Sequence, residues 1–212
     1  FDKGLNWLFG FNHEAAAECF EEAIKHDPGC GMAHWGVAYA IGPNYNKVWE
    51  FFEPEEKVAV LKRAHKAIED ALAIKDSLKP VEAAMIDALA DRFPEDPEIE
   101  DYGPWNDAFS EAMRKVYDAH MDDLDVTSVF AEALMNRTPW LLWNLETGEP
   151  ADDASTTEAR AALERAFTRA DAWDHPGLLH LYIHLMEMSP WPELALPHGD
   201  RLVDLVPDSG HL

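Results

Sequence analysis

The sequence has little that could cross-link the chain or anchor it in a membrane. It contains 2 cysteines, Cys19 and Cys30, which are too few for a disulfide framework and are not spaced as a Cys-x-x-Cys metal pair. No run of about 18 consecutive apolar residues is present, which excludes a transmembrane helix, and no basic segment followed by an apolar stretch marks a signal peptide. These absences predict a protein of a reducing compartment, the cytoplasm.

Basic residues are also scarce. Against 41 aspartates and glutamates there are 17 lysines and arginines, and the formal net charge is −24. Such a surface repels phosphate backbones and anionic lipids, so neither nucleic acid nor a membrane surface is expected as a partner. Apolar material is plentiful: 47% of the residues are hydrophobic, with 8 Trp and 10 Phe, which is enough for a sizeable core.

A spacing typical of the second helix of tetratricopeptide repeats (TPR) occurs five times. Residues three and four apart share one helix face, and small ones let a neighbouring helix approach closely. The first frame carries both the Phe and the terminal Pro of such repeats, and the others lack one or both. The frames are Ala16, Phe20, Ala23, Pro28; Ala64, Ile68, Ala71, Asp76; Ala112, Val116, Ala119, Leu124; Leu163, Phe167, Ala170, His175; and Ala195, Gly199, Leu202, Pro207.

Each frame is preceded by an apolar segment that could form the partner helix of a hairpin. Breaks such as Gly42–Asn46, Phe93–Pro97 and Glu146–Asp153 separate the hairpins, and no segment alternates as a half-buried strand does. We predict an all-α, TPR-like solenoid of about ten helices, one domain over residues 1–212, with an irregular helical bundle as the alternative. The partner segments are residues 3–11, 31–41, 80–92, 126–137 and 176–188.

The segment His175–Met188 is the richest in chemically active side chains. From Leu178 onward every residue is apolar or aromatic except His180, His184 and Glu187. At about 100° per residue these three fall on one narrow stripe of a helix. The sequence therefore predicts a buried helix whose polar stripe faces a cavity or a thin layer of solvent.

This stripe has the spacing of a metal site. Two histidines at i and i+4 can direct their imidazoles at one ion, and a carboxylate three residues later can join them. His211 is a further candidate ligand, and His175 and His198 lie in the same region. We predict a divalent transition metal, with iron or copper suited to oxidation and zinc to hydrolysis; the alternative is that these are buried histidines bonded to backbone carbonyls. The absence of a His-Glu-x-x-His motif disfavours a zinc protease of that type.

A second group of polar residues lies near the N-terminus. Asn12-His13-Glu14 is predicted to form the turn between the first two helices, with Asn12 as the N-cap. Together with Ala33–Ala40, Gly42–Asn46 and His175–Glu187, this segment resembles a family of largely uncharacterised bacterial and fungal TPR proteins. The resemblance covers most of the chain and rests on an Asn-His-Glu turn, a His-Pro-Gly/His-x-Tyr-Ile-His helix and a Gly-His-Leu turn.

The resemblance implies functional residues but no particular reaction. Family members continue past Gly-His-Leu into a further His-rich Met-Pro segment, so part of the site and at least one helix are expected beyond Leu212. His34 stands where the family commonly has an aromatic residue. The residues that the resemblance implicates, here as candidate metal ligands, are His13, His175, His180, His184, Glu187 and His211.

Two functions fit these features. The first is a metal-dependent enzyme, oxidative or hydrolytic, acting on a small organic molecule at an open coordination position. The second is a non-catalytic TPR scaffold for a protein or peptide, for which a basic or apolar ligand suits the acidic surface. A homo-oligomer is open under either function. Four tryptophans could line an aromatic pocket beside the histidines, although each could equally fill a gap between helices: Trp140, Trp143, Trp173 and Trp191.

Overall fold

The structure, a computed structural model, describes residues 1–206 and residue 211. Pro207 of the last repeat frame, and Gly210 and Leu212 of the Gly-His-Leu turn, lie outside the described residues. Within them there are ten α-helices and no strand, which confirms the prediction of an all-α protein with about ten helices. The helices are α1 (Asp2–Phe9), α2 (His13–His26), α3 (Gly31–Ile41), α4 (Pro54–Ile74), α5 (Pro80–Ala90), α6 (Gly103–His120), α7 (Leu124–Met135), α8 (Thr156–Ala166), α9 (Pro176–Met186) and α10 (Leu196–Leu205).

The helices follow the predicted segments in order. The odd-numbered helices correspond to the five partner segments and the even-numbered helices to the five repeat frames. The fourth frame departs most, because α8 ends at Ala166 and leaves Phe167, Ala170 and His175 outside the helix. The Thr168 hydroxyl there donates to the Arg165 carbonyl at 2.7 Å, a local bond that competes with continued helix.

Three helices form the interior of the molecule. Every residue is buried over Ala33–Ala40 of α3, Val126–Met135 of α7 and Pro176–Tyr182 of α9. The helices around them are amphipathic; α2, for example, buries Ala16, Ala17 and Phe20. The prediction that α9 is buried is thus confirmed. No helix in the described part of the chain is long and apolar enough to cross a membrane.

The chain also folds back so that its first helix meets its ninth. Consecutive helices pack on one another, and in addition α9 contacts both α1 and α7. In a strictly linear repeat array each unit touches only its neighbours, so the contact between α1 and α9 goes beyond that pattern. It brings Phe9 within hydrogen-bonding distance of His180, 171 residues later in the chain.

Gly177 is what allows α9 to approach α1 and α7 so closely. A Cβ atom at this position would lie 2.6 Å from Cδ1 of Phe9 and 2.6 Å from Oγ of Ser128, much closer than van der Waals contact. The Pro176-Gly177 start of α9 therefore combines a residue suited to the first helical turn with one that leaves room for two neighbours.

Replacing Gly177 with alanine tests this packing. Alanine normally stabilises a helix by about 1 kcal/mol relative to glycine. At Gly177 we expect the opposite, a loss of about 1–3 kcal/mol in the free energy of unfolding, because the methyl group overpacks the contact. Gly199→Ala in α10 is the matched control, since its Cβ would meet nothing closer than Ile183 Cδ1 at 3.9 Å, and it should be neutral or stabilising. Urea unfolding of both variants measures the difference; equal stabilisation by both would contradict the expectation.

Candidate metal centre

Three imidazoles meet at one point beside α9. One ring nitrogen from each of His180, His184 and His211 lies within 4.8 Å of the other two, an arrangement that could hold a metal ion. His180 and His184 are one turn apart on α9, so helix geometry alone places them on the same face. His211 follows α10 and packs its ring on theirs, with centroids 5.0 Å from His180 and 6.1 Å from His184.

Hydrogen bonds orient the two helical histidines. Nδ1 of His180 lies 2.6 Å from the Phe9 carbonyl oxygen, and Nδ1 of His184 lies 2.9 Å from Oε1 of Glu187. Because a carbonyl and a carboxylate only accept, each Nδ1 must carry the ring proton and donate it. In the neutral form of each ring, Nε2 is then unprotonated and has a lone pair available, the form in which histidine binds a metal.

Glu187 acts through His184 in this arrangement. It is the C-cap residue of α9, and its carboxylate accepts a hydrogen bond from the ring nitrogen that would not bind an ion. Such carboxylate–histidine pairs fix the ring orientation and make the ligand nitrogen more basic. Glu187, predicted as a ligand, is therefore the hydrogen-bond partner of another predicted ligand, His184.

Glu187→Ala should weaken metal binding about 10- to 100-fold, the usual effect of losing a hydrogen-bond partner of a ligand. Glu187→Gln keeps an acceptor oxygen and should lose much less. Glu193→Ala, a nearby exposed carboxylate in the 3₁₀ turn Pro192–Ala195, controls for the change in charge. Competition with a chromophoric chelator measures the three affinities; equal affinities for Glu187→Ala and Glu193→Ala would contradict this role.

The environment favours the neutral form of two rings of the cluster, His180 and His211. Burial lowers the pKa of His180 to about 3, and a charge on His184 would oppose its protonation further. Burial, followed by the effect of His184, also lowers the pKa of His211. Lowered pKa values mean that protons do not compete with a metal ion for these two rings near neutral pH.

Phe11 occupies the centre of the histidine group. Its ring centroid lies 4.3 Å from that of His180, 5.6 Å from His184, 5.7 Å from His13 and 5.8 Å from His211. An apolar ring in this position keeps water away from one side of the imidazoles. Phe11 is thus a packing partner shared by all four histidines.

The backbone of Phe11 is in the left-handed region, with φ of 53°. It ends α1 in a Schellman turn, in which Phe11 N–H donates to the Leu8 carbonyl at 3.0 Å and Asn12 N–H to the Trp7 carbonyl at 2.9 Å. Glycine is the usual residue at this position, because a side chain here costs on the order of 1 kcal/mol or more. The contacts of the Phe11 ring with the histidines offset that cost. Asn12 then caps α2 by accepting from Ala15 N–H at 3.3 Å, as predicted.

His13 also stacks on Phe11. Both of its ring nitrogens are buried and make no hydrogen bond of normal geometry, although the Ala40 backbone acts to raise its pKa. Burial lowers the pKa of His13 to about 4, and the charges of Arg92 and Lys47 act in the same direction. His13 is therefore a neutral imidazole close to the cluster, but it is not one of the three histidines whose ring nitrogens lie within 4.8 Å of one another.

The structure places two other histidines elsewhere. His175 caps α9, with Nδ1 accepting from Leu178 N–H at 3.2 Å and Nε2 donating to Asp125 Oδ1 at 3.1 Å. Both ring nitrogens are therefore engaged, and His175 positions the start of the helix. His198 packs among aromatic rings, with Tyr182 4.2 Å away between centroids, and burial lowers its pKa.

One of the four tryptophans, Trp140, is linked to the cluster through Tyr45. Trp140 packs on Tyr45, whose ring centroid lies 5.1 Å from that of His184. Trp140 is also in the left-handed region, with φ of 59°, and its N–H donates to the Tyr45 hydroxyl at 3.3 Å. Both non-glycine residues with positive φ in the described chain, Phe11 and Trp140, thus support histidines of the site directly or through Tyr45.

Sequence reasoning did not assign roles to several of these groups. The Phe9 carbonyl, Phe11 and Tyr45 are recognisable only once α1 and the Gly42–Lys47 loop lie against α9, because nothing in their local sequence marks them. Asn46 is another, since its amide Nδ2 lies 3.5 Å from Nε2 of His211. One signal could have pointed to Phe11: it is an aromatic residue at a helix end where glycine is usual. Using that signal would have required the exact end of α1.

Comparisons with models of known protein families, with curated proteins and with solved structures found no match to this chain.

Proposed function

We propose that this chain is a TPR-like helical-repeat protein in which His180, His184 and His211 bind a divalent transition metal that acts on a small organic molecule. The observation that carries the proposal is the convergence of these three rings together with the bonds at Nδ1 of His180 and His184. Histidines that merely fill space would have no need to bring three ring nitrogens within 4.8 Å of one another while Nδ1 of two of them is bonded elsewhere. Five successive pairs of helices support the TPR-like part of the proposal.

The donor set suits a metal that is used in chemistry. Imidazole nitrogen binds zinc, copper, iron and nickel well, and three histidines with an open fourth position are a known catalytic zinc arrangement. A metal ion held here would supply a Lewis acid, or a redox centre if it is iron or copper, to an oxygen donor of the substrate.

The residues around the site have separate roles in this proposal. The Phe9 carbonyl and Glu187 hold two ligands in the correct tautomer, and Phe11 excludes water from one side. His13, a neutral imidazole that stacks on Phe11, has one nitrogen able to accept a proton and one able to donate. It can therefore bind a polar group of the substrate or exchange a proton with it.

Metal analysis of protein purified without an affinity tag tests the proposal. We expect about one equivalent of metal per chain, removed by a strong chelator and restored on adding the ion back, with a rise in melting temperature on restoration because the ion binds only the folded chain. Folded protein that binds no zinc, copper, iron or cobalt, and whose melting temperature is indifferent to chelator, would refute it.

A second candidate function is supported by a larger cleft on another part of the molecule. It has a volume of about 1140 Å³, lies along α2, α3 and α4, and has apolar, basic and acidic side chains, including Val37, Lys62 and Glu69. A peptide could bind there in a scaffold without catalysis. That function requires no metal, so the metal analysis separates the two.

A further inference from the structure

The histidine cluster borders a cleft that could admit a substrate. This cleft has a volume of about 570 Å³, within the range of small-molecule sites, and lies between the α1–α2 turn and the Gly42–Lys47 loop. The cleft is lined by His211, the exposed candidate metal ligand, and by polar residues of the turn and the loop. The side chains that could contact a ligand in this cleft include Phe11, His13, Asn44, Asn46, Lys47 and His211.

We infer that this cleft binds the carboxylate group of a small organic acid and presents it to the metal. The inference rests on the proposed function, since it assigns a substrate class to the same metal. Three features of the described residues support it: the charge of the metal site, the local charges of the cleft and the hydrogen-bonding groups on its walls.

The first feature is that the ligands are neutral. His180, His184 and His211 would leave the full positive charge of a divalent ion uncompensated, because the nearby carboxylate, Glu187, is bonded to the back of a ring. A site of this kind gains from an anionic ligand in its open position. The negative charge of the substrate would compensate the positive charge of the ion, which the three neutral ligands do not.

The second feature is a positive local field in a strongly acidic protein. The residues whose charges act on His13 include two cations, Arg92 and Lys47, and no carboxylate is among the principal influences. Arg92 is almost completely buried, and its Nη1 has no hydrogen-bond partner. It stacks over the Tyr39 ring and donates through Nη2 to the Pro43 carbonyl, which ties it to the loop that forms one wall.

The third feature is a surplus of donors in the cleft. The Oδ1 atom of Asn44 already accepts from Asn46 N–H and Lys47 N–H, both at 2.9 Å, so its amide NH₂ is the group left to face a ligand. Lys47 shares its ammonium with Glu56, yet an ammonium has three donor hydrogens and its side chain remains 41% exposed. The lining also contains one carboxylate, Glu14, whose negative charge acts against the binding of an anion. Oxygen anions are the ligands that match this excess of N–H groups.

Cobalt-loaded protein provides the test, because the visible spectrum of bound Co(II) responds to a change of ligand. Propionate and its neutral counterpart propionamide are titrated into the wild-type protein and three variants. We expect propionate to shift the cobalt bands and to bind at least about tenfold more tightly than propionamide. Lys47→Met should weaken propionate binding about tenfold without changing cobalt affinity, and Glu56→Gln, which frees the ammonium, should tighten it several-fold.

Lys66→Met is the matched control, since Lys66 is another ion-paired lysine, bonded to Asp70 at 2.6 Å and distant in sequence from the loop. It should leave propionate binding unchanged. Bound cobalt whose spectrum ignores propionate, equal binding of propionate and propionamide, or equal effects of Lys47→Met and Lys66→Met would overturn the carboxylate inference alone. Failure of the protein to bind cobalt would overturn the proposed function as well.

Discussion

Replacing both His180 and His184 with alanine is expected to lower metal affinity by at least about four orders of magnitude. Structural zinc sites contribute about 10–16 kcal/mol through four ligands, so each ligand contributes on the order of 3 kcal/mol, and two are lost here. The remaining candidate ligand, His211, is exposed and could hold an ion only weakly. Competition against a chelator of known affinity measures the change.

Two further variants make this result interpretable. His180 is buried, so the double variant could also lose stability; His211→Ala removes an exposed ligand instead and should cost about 100-fold in affinity with little change in unfolding. His34→Ala/His65→Ala is the control, because both residues bond proline carbonyls, Pro28 and Pro94, away from the cluster. Wild-type affinity in the double variant would place the metal elsewhere, or show that none is bound specifically.

Acidification from pH 7 to pH 5 should destabilise the metal-free protein by about 2 kcal/mol for each of His180 and His13. Their pKa values of about 3 and about 4 in the folded state lie below the ordinary value of 6.5 that applies after unfolding. Below pH 6.5 the unfolded chain therefore binds more protons than the folded one. Stability is fully present above pH 6.5 and falls with pH until each folded-state pKa is reached.

Urea unfolding in the presence of chelator at the two pH values measures this loss. His180→Gln, which cannot titrate, should show about 2 kcal/mol less dependence on pH than the wild type. His26→Gln, an exposed histidine with 80% of its side chain accessible, should show the wild-type dependence. If His180→Gln and the wild type lose equal stability, then His180 is not held neutral by burial.

Much of the helical framework could be read from the sequence, because it depends on local periodicity. The apolar run of α9 with its stripe of His180, His184 and Glu187 is a property of consecutive residues, and the helical repeat decides which of them share a face. The end of α8 was misplaced by the fourth repeat frame for the converse reason. There the outcome depends on competition between helix and local bonds such as that from Thr168 to the Arg165 carbonyl.

The roles of the individual site residues were harder to anticipate. Glu187 has the spacing of a ligand, yet its carboxylate bonds Nδ1 of His184; His175 has the identity of a ligand, yet it caps its own helix. Spacing can bring a group to the correct face, but the choice of hydrogen-bond partner depends on rotamers and on neighbours from other helices.

By itself, the sequence determined that the chain is all-helical, that α9 is buried and that two of its histidines lie on one face, since each follows from residues within a few turns. The tertiary structure alone decided that α1 meets α9, that Phe11 stands among four histidines and that His211 joins two of them. These are contacts between segments far apart in the chain. They depend on how closely the helices can approach, as at Gly177, where the lack of a side chain leaves room for Phe9 and Ser128. No local pattern encodes that approach.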